Sequence, residues 1–151
     1  VEGVCFPGDT DQFQISQTET IAVIEGAVIY LPCGSIVARL PLGPFAINSN
    51  GTQVAYIAGD LRIWTGQSDT PVVLASDVGW GPMDYLPTRN TLFFIDGEPS
   101  RLRVFDTNRM EQIHEMPIST ARATEMAFSR DGRFLFVLDE DRVLTTLGVP
   151  R

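Results

Sequence analysis

Four stretches of this chain run through the same order of features, and that repetition limits the fold more than any other property. They are "FQISQTETIAVIEGAVIYL" from Phe13, "FAINSNGTQVAYIAGDLRIWT" from Phe45, "MDYLPTRNTLFFIDGEPSRLRVFD" from Met83 and "MAFSRDGRFLFVLDEDRVLTTL" from Met126. Each opens with a short apolar run, then a polar turn at Ser16–Glu19, Asn48–Gly51, Pro87–Asn90 or Ser129–Gly132. A strongly apolar run follows: Ile21–Ile24, Val54–Ala58, Leu92–Ile95, Phe134–Leu138. Acids or glycine then turn the chain into a third run: Val28–Leu31, Leu61–Trp64, Leu102–Phe105, Val143–Leu147. Short runs rich in Val, Ile, Phe and Tyr, broken by Gly, Pro, Asn and Asp, read as strands joined by tight turns. A fourth strand follows the first three copies at Ile36–Leu40, Val72–Ala75 and Gln112–Met116. The best helix-like stretch, Thr107–Met116, also alternates as a strand and is assigned as one.

Aromatics near the end of the third strand suggest a register. Tyr30 to Trp64 is 64 − 30 = 34 residues, Trp64 to Phe105 is 105 − 64 = 41, and Phe105 to Thr146 is again 41. A period of about 40 residues with four strands per copy is the signature of radially arranged sheets.

At these residues a family resemblance enters. "AFSRDGRFLFVLDEDRVLTTL" and "NSNGTQVAYIAGDLRIW" resemble the strand–turn–strand core of WD-repeat and YVTN-type β-propeller blades, and Phe105-Asp106 is similar to the aromatic-Asp pair of a YVTN-type blade. Trp64 is followed by Thr65, and no Gly-His dipeptide precedes a copy, so the strict WD pattern is not met. The resemblance implies an all-β, β-propeller-like single domain of about four blades of four antiparallel strands, over 12–42, 43–79, 80–120 and 121–149. The last copy lacks its outer strand, and residues 1–6, "VEGVCF", are the candidate to close the ring by pairing there. A homodimer or a larger ring is the other way to complete it.

The net charge of −8, with every basic residue an Arg, argues against nucleic acid and anionic membrane surfaces as partners. No apolar run approaches the roughly 20 residues that cross a bilayer. Cys5 and Cys33 form no metal-ligand spacing. They are either two buried thiols or one disulfide, and a disulfide would place the chain outside the cytoplasm.

In a propeller blade, the turns after the second strand share a face with the connections between blades. On that face fall Glu25, Asp60, Asp96, Glu98, Asp139, Glu140 and Asp141, beside the connection "SDVGWGP" with Asp77 and Trp80. The expectation is an acidic mouth with an exposed indole. It would suit a protein partner, a divalent cation such as calcium, or a sugar stacked on Trp80. The plainer explanation is that acids and glycines make good turns. Trp64 has register partners and is expected to pack between blades. Arg101 and Arg103 share one side of a strand and are expected to pair with blade acids or stay solvated, the alternative being that they receive an acidic partner.

His114 stands alone, no nucleophile-elbow turn exists, and no glycine-rich phosphate loop opens a helix. No cofactor is expected. The sequence therefore points to a non-catalytic interaction module. The alternatives are a carbohydrate- or cation-binding propeller, and the non-redox part of a dehydrogenase-like enzyme, which YVTN-type blades also resemble.

Overall fold

The computed structural model describes residues 13–68 and 70–150. They form four antiparallel sheets and, among the described residues, no helix. The first sheet is β1 (Phe13–Ile15), β2 (Ile21–Ile24), β3 (Ala27–Tyr30) and β4 (Ser35–Arg39). The second is β5 (Phe45–Ile47), β6 (Val54–Ile57), β7 (Leu61–Trp64) and β8 (Val72–Ala75). The third is β9 (Met83–Tyr85), β10 (Thr91–Asp96), β11 (Ser100–Asp106) and β12 (Glu111–Ser119). The fourth is β13 (Ala123–Phe128), β14 (Phe134–Asp139) and β15 (Leu144–Gly148), with three strands among the described residues, as expected of a last copy that lacks its outer strand. The proposed closing strand over 1–6, and Cys5 with it, lie outside the described residues.

Within each sheet, strands pair in chain order, so each copy is a meander. The pairing of third to fourth strand is interrupted in every complete copy, at Val28/Ile29 in the first, at Leu61/Arg62 in the second, and at Ser100/Arg101 and Val104/Phe105 in the third. Such irregularities increase local twist. The shared meander order makes the copies the same structural unit, arranged as in a propeller.

The second strand of each copy decides how the sheets associate. It is apolar on both sides, so burying one side leaves the other needing cover. Val23 and Val28 of the first sheet meet Ile47 and Val54 of the second. Ala55, Ile57 and Ile63 of the second meet Tyr85, Leu92, Phe94 and Phe105 of the third. Phe93, Ile95 and Val104 of the third meet Leu135 and Val137 of the fourth, with Phe128 edge-on to Phe93 at 4.9 Å. Trp64 packs against the first of these seams, as its position predicts. β12 agrees with the strand assignment over the second half of Thr107–Met116, and its neighbour β11 is buried at Leu102, Val104 and Phe105.

Equivalent positions are fixed by the bond that closes each first turn: Ser16 N to Ile21 O, Asn48 N to Gln53 O, Leu86 N to Thr91 O and Ser129 N to Phe134 O. By that register Ala22, Val54, Leu92 and Leu135 are equivalent, and their partners on the third strand are Ile29, Trp64, Phe105 and Leu147. The aromatic register assumed from sequence slips by one residue at both ends, to Ile29 rather than Tyr30 and to Leu147 rather than Thr146. A one-residue slip changes the face a side chain serves. Thr146 pairs with Phe136, on the side away from the third sheet.

The first turns make a second, polar set of contacts that the sequence reading did not anticipate. Ser16 Oγ accepts from Thr20 N and Ile21 N, and Ser129 Oγ accepts from Arg133 N and Phe134 N. Asn48 does the same for Thr52 N and Gln53 N, both at 2.9 Å. Its amide then donates across the seam to Asn90 Oδ1 at 3.0 Å, and Asn90 donates to Asn108 Oδ1. Gln53 Nε2 reaches Thr107 O, and Tyr85 OH donates to Gln53 Oε1. Asn48 is fully buried, so truncating it leaves polar groups unpaired in a dry place. Asn48→Ala is expected to lower the unfolding free energy by about 2–4 kcal/mol in urea titrations, and Asn48→Asp, which keeps the acceptor oxygen but turns the donor to Asn90 into a buried carboxylate oxygen, by at least as much at neutral pH.

Candidate functional site

The expected mouth residues sit where hairpin turns meet the connections between sheets. Leu40 N donates to Gly26 O, Val78 N to Gly59 O, Ile95 N to Pro82 O and Glu140 N to Arg122 O. These bonds fix the loops to the sheet ends. Most of the acids are used in that work. Asp60 pairs with Arg62 at 3.0 Å and accepts from Asp77 N at 3.3 Å. Asp96 lies 3.6 Å from Arg103, and burial raises its carboxyl above the usual range against the pull of that guanidinium. Arg101 pairs with Glu115, so both arginines of that strand face acids of their own sheet.

Asp139 is buried. Its carboxylate accepts from Val143 N at 2.9 Å and from Ser119 Oγ at 2.9 Å, closing its own turn and tying the fourth sheet to the end of β12. Glu25, Glu98 and Asp141 are exposed on their turns. Among the described residues, no three of His, Cys, Asp and Glu converge in a way that could hold a metal ion. Cys33 is exposed, with Sγ 3.0 Å from Ser35 Oγ, and that hydroxyl lowers its thiol pKa. Its suggested partner Cys5 lies outside the described residues.

What the face brings together is smaller than an acidic mouth. Trp80 is 59% exposed. It borders a cavity of about 450 Å³ lined by Pro44, Gly81, Pro82, Arg122, Thr124 and Glu140. Arg122 Nη2 donates to Trp80 O at 3.4 Å, and Arg122 N donates to Glu140 Oε1 at 3.3 Å. The loop of the third copy, the first residues of the fourth and the β14–β15 turn therefore meet in one place. Two glycines allow it. Gly43, at φ +150, has Trp80 Cζ2 3.6 Å from where a Cβ would stand. Gly81 lies so close to β10 that a Cβ would sit 1.8 Å from Ile95 O. Sequence pointed to Trp80 and Glu140, but not to Arg122, which lies in a connection without a motif.

A second concavity of about 280 Å³ lies among the innermost strands, lined by residues of all four sheets, among them Gln14, Ile47, Asp84, Phe128 and Arg130. Gln14 bridges the first seam there, donating to Phe45 O and accepting from Ile47 N. Asp84 holds the equivalent position in the third copy. Its Oδ1 accepts from Tyr85 N at 2.9 Å, and no ion pair reaches it among the described residues. Burial pushes its carboxyl up to about 6.

No protein-family model matches the sequence, and no curated protein matches it. In fold, 711 chains of solved structures match, so the arrangement is too widely shared to point to one activity. A chain of Kuenenia stuttgartiensis hydrazine synthase superposes with a TM-score of 0.70 at 15% identity, over 98% of this chain and 49% of that one. The chain thus spans about half the length of the hydrazine synthase chain that it matches, and the likeness is one of fold.

Two outcomes follow from this geometry. Gly81→Ala must push the Trp80 loop off β10, lowering the melting temperature by the equivalent of roughly 1–3 kcal/mol and shifting tryptophan emission. For Asp84, the folded pKa lies above the ordinary carboxyl value of 3.8, so the native state holds the proton longer than the unfolded chain. Its contribution to stability therefore falls as pH rises from about 4 to about 6 and stays low above that. Asp84→Asn keeps the acceptor for Tyr85 N and removes the charge. It should stabilise the protein by on the order of 2 kcal/mol at pH 8, with the gain gone at pH 4, in denaturant titrations at the two pH values.

Proposed function

We propose that this chain is a non-catalytic β-propeller interaction module, of WD- or YVTN-type blades, that engages a protein partner through the loop face around Trp80. The observation that supports it is a large aromatic left mostly exposed in a pocket whose loops are hydrogen-bonded to sheet ends. An aromatic that loses little freedom on binding, in a concavity that can exclude water, is what a binding hot spot requires. Pro44 and Pro82 offer apolar walls, and Arg122 and Glu140 offer one charge of each sign. The net charge of −8 favours a partner segment carrying a cationic residue next to an apolar one.

The same pocket supports a second reading. An indole beside Arg122, Thr124 and Glu140 also supplies the stacking face and the hydrogen-bonding groups of a sugar subsite. Selection of a random peptide library on the wild-type chain, with counter-selection on Trp80→Ala, separates the two. The expected result is a peptide class pairing Lys or Arg with an apolar residue, whose affinity drops at least roughly 30-fold in Trp80→Ala and less in Glu140→Gln. Enrichment that survives Trp80→Ala, or none at all, removes the protein-partner reading. Trp80-dependent hits confined to a glycan array select the sugar reading.

A further inference from the structure

The two ends of the row of sheets present the halves of a seam that the chain already forms three times. On the side facing the next sheet, Val23, Ala55, Phe93 and Phe136 are equivalent by the turn register. Val23, Ala55 and Phe93 are buried in seams, whereas Phe136 has no sheet in front of it among the described residues and is only half-buried. Around it on the same face are Phe134, 46% exposed, and Leu138 and Leu144. At the other end, the side of the first sheet that looks away from the second carries the row Ile15, Ala22, Ile29 and Ile36. Ile15 is 47% and Ile36 51% exposed. Their equivalents on the later sheets, Ile47, Tyr85 and Phe128 for Ile15 and Trp64, Phe105 and Leu147 for Ile29, all pack in seams.

We propose that these faces are the two halves of a further seam, formed between two copies of this chain joined head to tail. The fourth sheet of each copy covers the first sheet of the other, and the pair closes. The apolar clusters join first to second, second to third and third to fourth sheet, and none among the described residues joins fourth to first. A second copy supplies both missing halves at once.

The faces also match each other. In the second seam the small Ala55 meets the large Leu92 and Phe94. In the new seam the large Phe136 meets Ala22, the smallest residue at its position in any copy, and alternation of large with small is what lets two faces interlock. Contacts of this head-to-tail kind close into a ring or run on as a filament.

The test is the mass in solution of the 151-residue chain, by light scattering across a concentration series, for wild type, Phe134→Glu and Ile36→Glu. Both substituted side chains are already exposed, so the single chain keeps its fold, and circular dichroism melts check this. Wild type is expected as a dimer and each variant as a monomer. An equimolar mixture of the two variants is expected to restore a dimer, because one intact seam remains between a sound first sheet and a sound fourth sheet. A monomeric wild type overturns the proposal, as does a dimer indifferent to both substitutions. A mixture that stays monomeric overturns it too, and a ladder of ever larger species overturns the closed pair.

Discussion

The second strand of each copy, apolar on both its faces, is the constraint from which the rest of the structure follows. A strand with one apolar face is content in a two-layer sandwich. Leu92-Phe93-Phe94-Ile95 is buried along its whole length, with alternate residues in two different clusters. Such a strand needs a sheet on each side. Repeating it makes every sheet both a cover for its predecessor and a surface for its successor, and right-handed strand twist turns the row into an arc. The inner strands then line one axis, while hairpin turns and connections collect at the two ends of the sheets.

That logic explains what was legible in the sequence. Strand positions were, because apolar runs and turn residues are local signals: Ile21–Ile24, Leu61–Trp64 and Val72–Ala75 fall where they were read. The side each residue serves was less so. Tyr30 and Thr146 look like counterparts of Trp64 by spacing, yet strand pairing puts Ile29 and Leu147 in that role. The spacing between aromatics counts residues, whereas the face is set by hydrogen-bond register, which unequal turn lengths shift. The polar lattice of Asn48, Asn90 and Asn108 was invisible for a related reason. Each residue alone is an ordinary turn former, and only the pairing of strands within the third sheet (Asn90 with Asn108) and the packing of the second sheet on the third (Asn48 with Asn90) bring their side chains within 3.0 Å.

The acidic residues teach the converse lesson. Seven acids in turns suggested a mouth of one sign, but charge counted along a sequence is not charge left over in a structure. Asp60 and Asp96 face arginines of their own sheets, and Asp139 is buried as a turn-closing acceptor. Glu25, Glu98 and Asp141 stay exposed on their separate turns, and what gathers in one pocket is a mixed set: an indole, two prolines, an arginine and a glutamate. Trp80 stands out because the same repeat gives no packing reason for it, while Trp64 has one. The sequence signal was the absence of a counterpart, and it survives in the coordinates as exposure.

Divergence at equivalent positions carries this further. Gln14, Ala46, Asp84 and Ala127 hold one place on the inner strands, pointing along the row. Gln14 uses both ends of its amide on the backbone of the next strand, and so supports its seam. Asp84 satisfies only its own neighbour's N–H and resists ionisation, a cost with no structural return visible in the third seam. A repeat protein distributes its stability over many similar seams, so one position can drift to an unfavourable residue while neighbouring seams hold the arc together. Asp84 is thus a place where this chain departs from the logic of its own repeat, and its charge lies on the axis that all four sheets share.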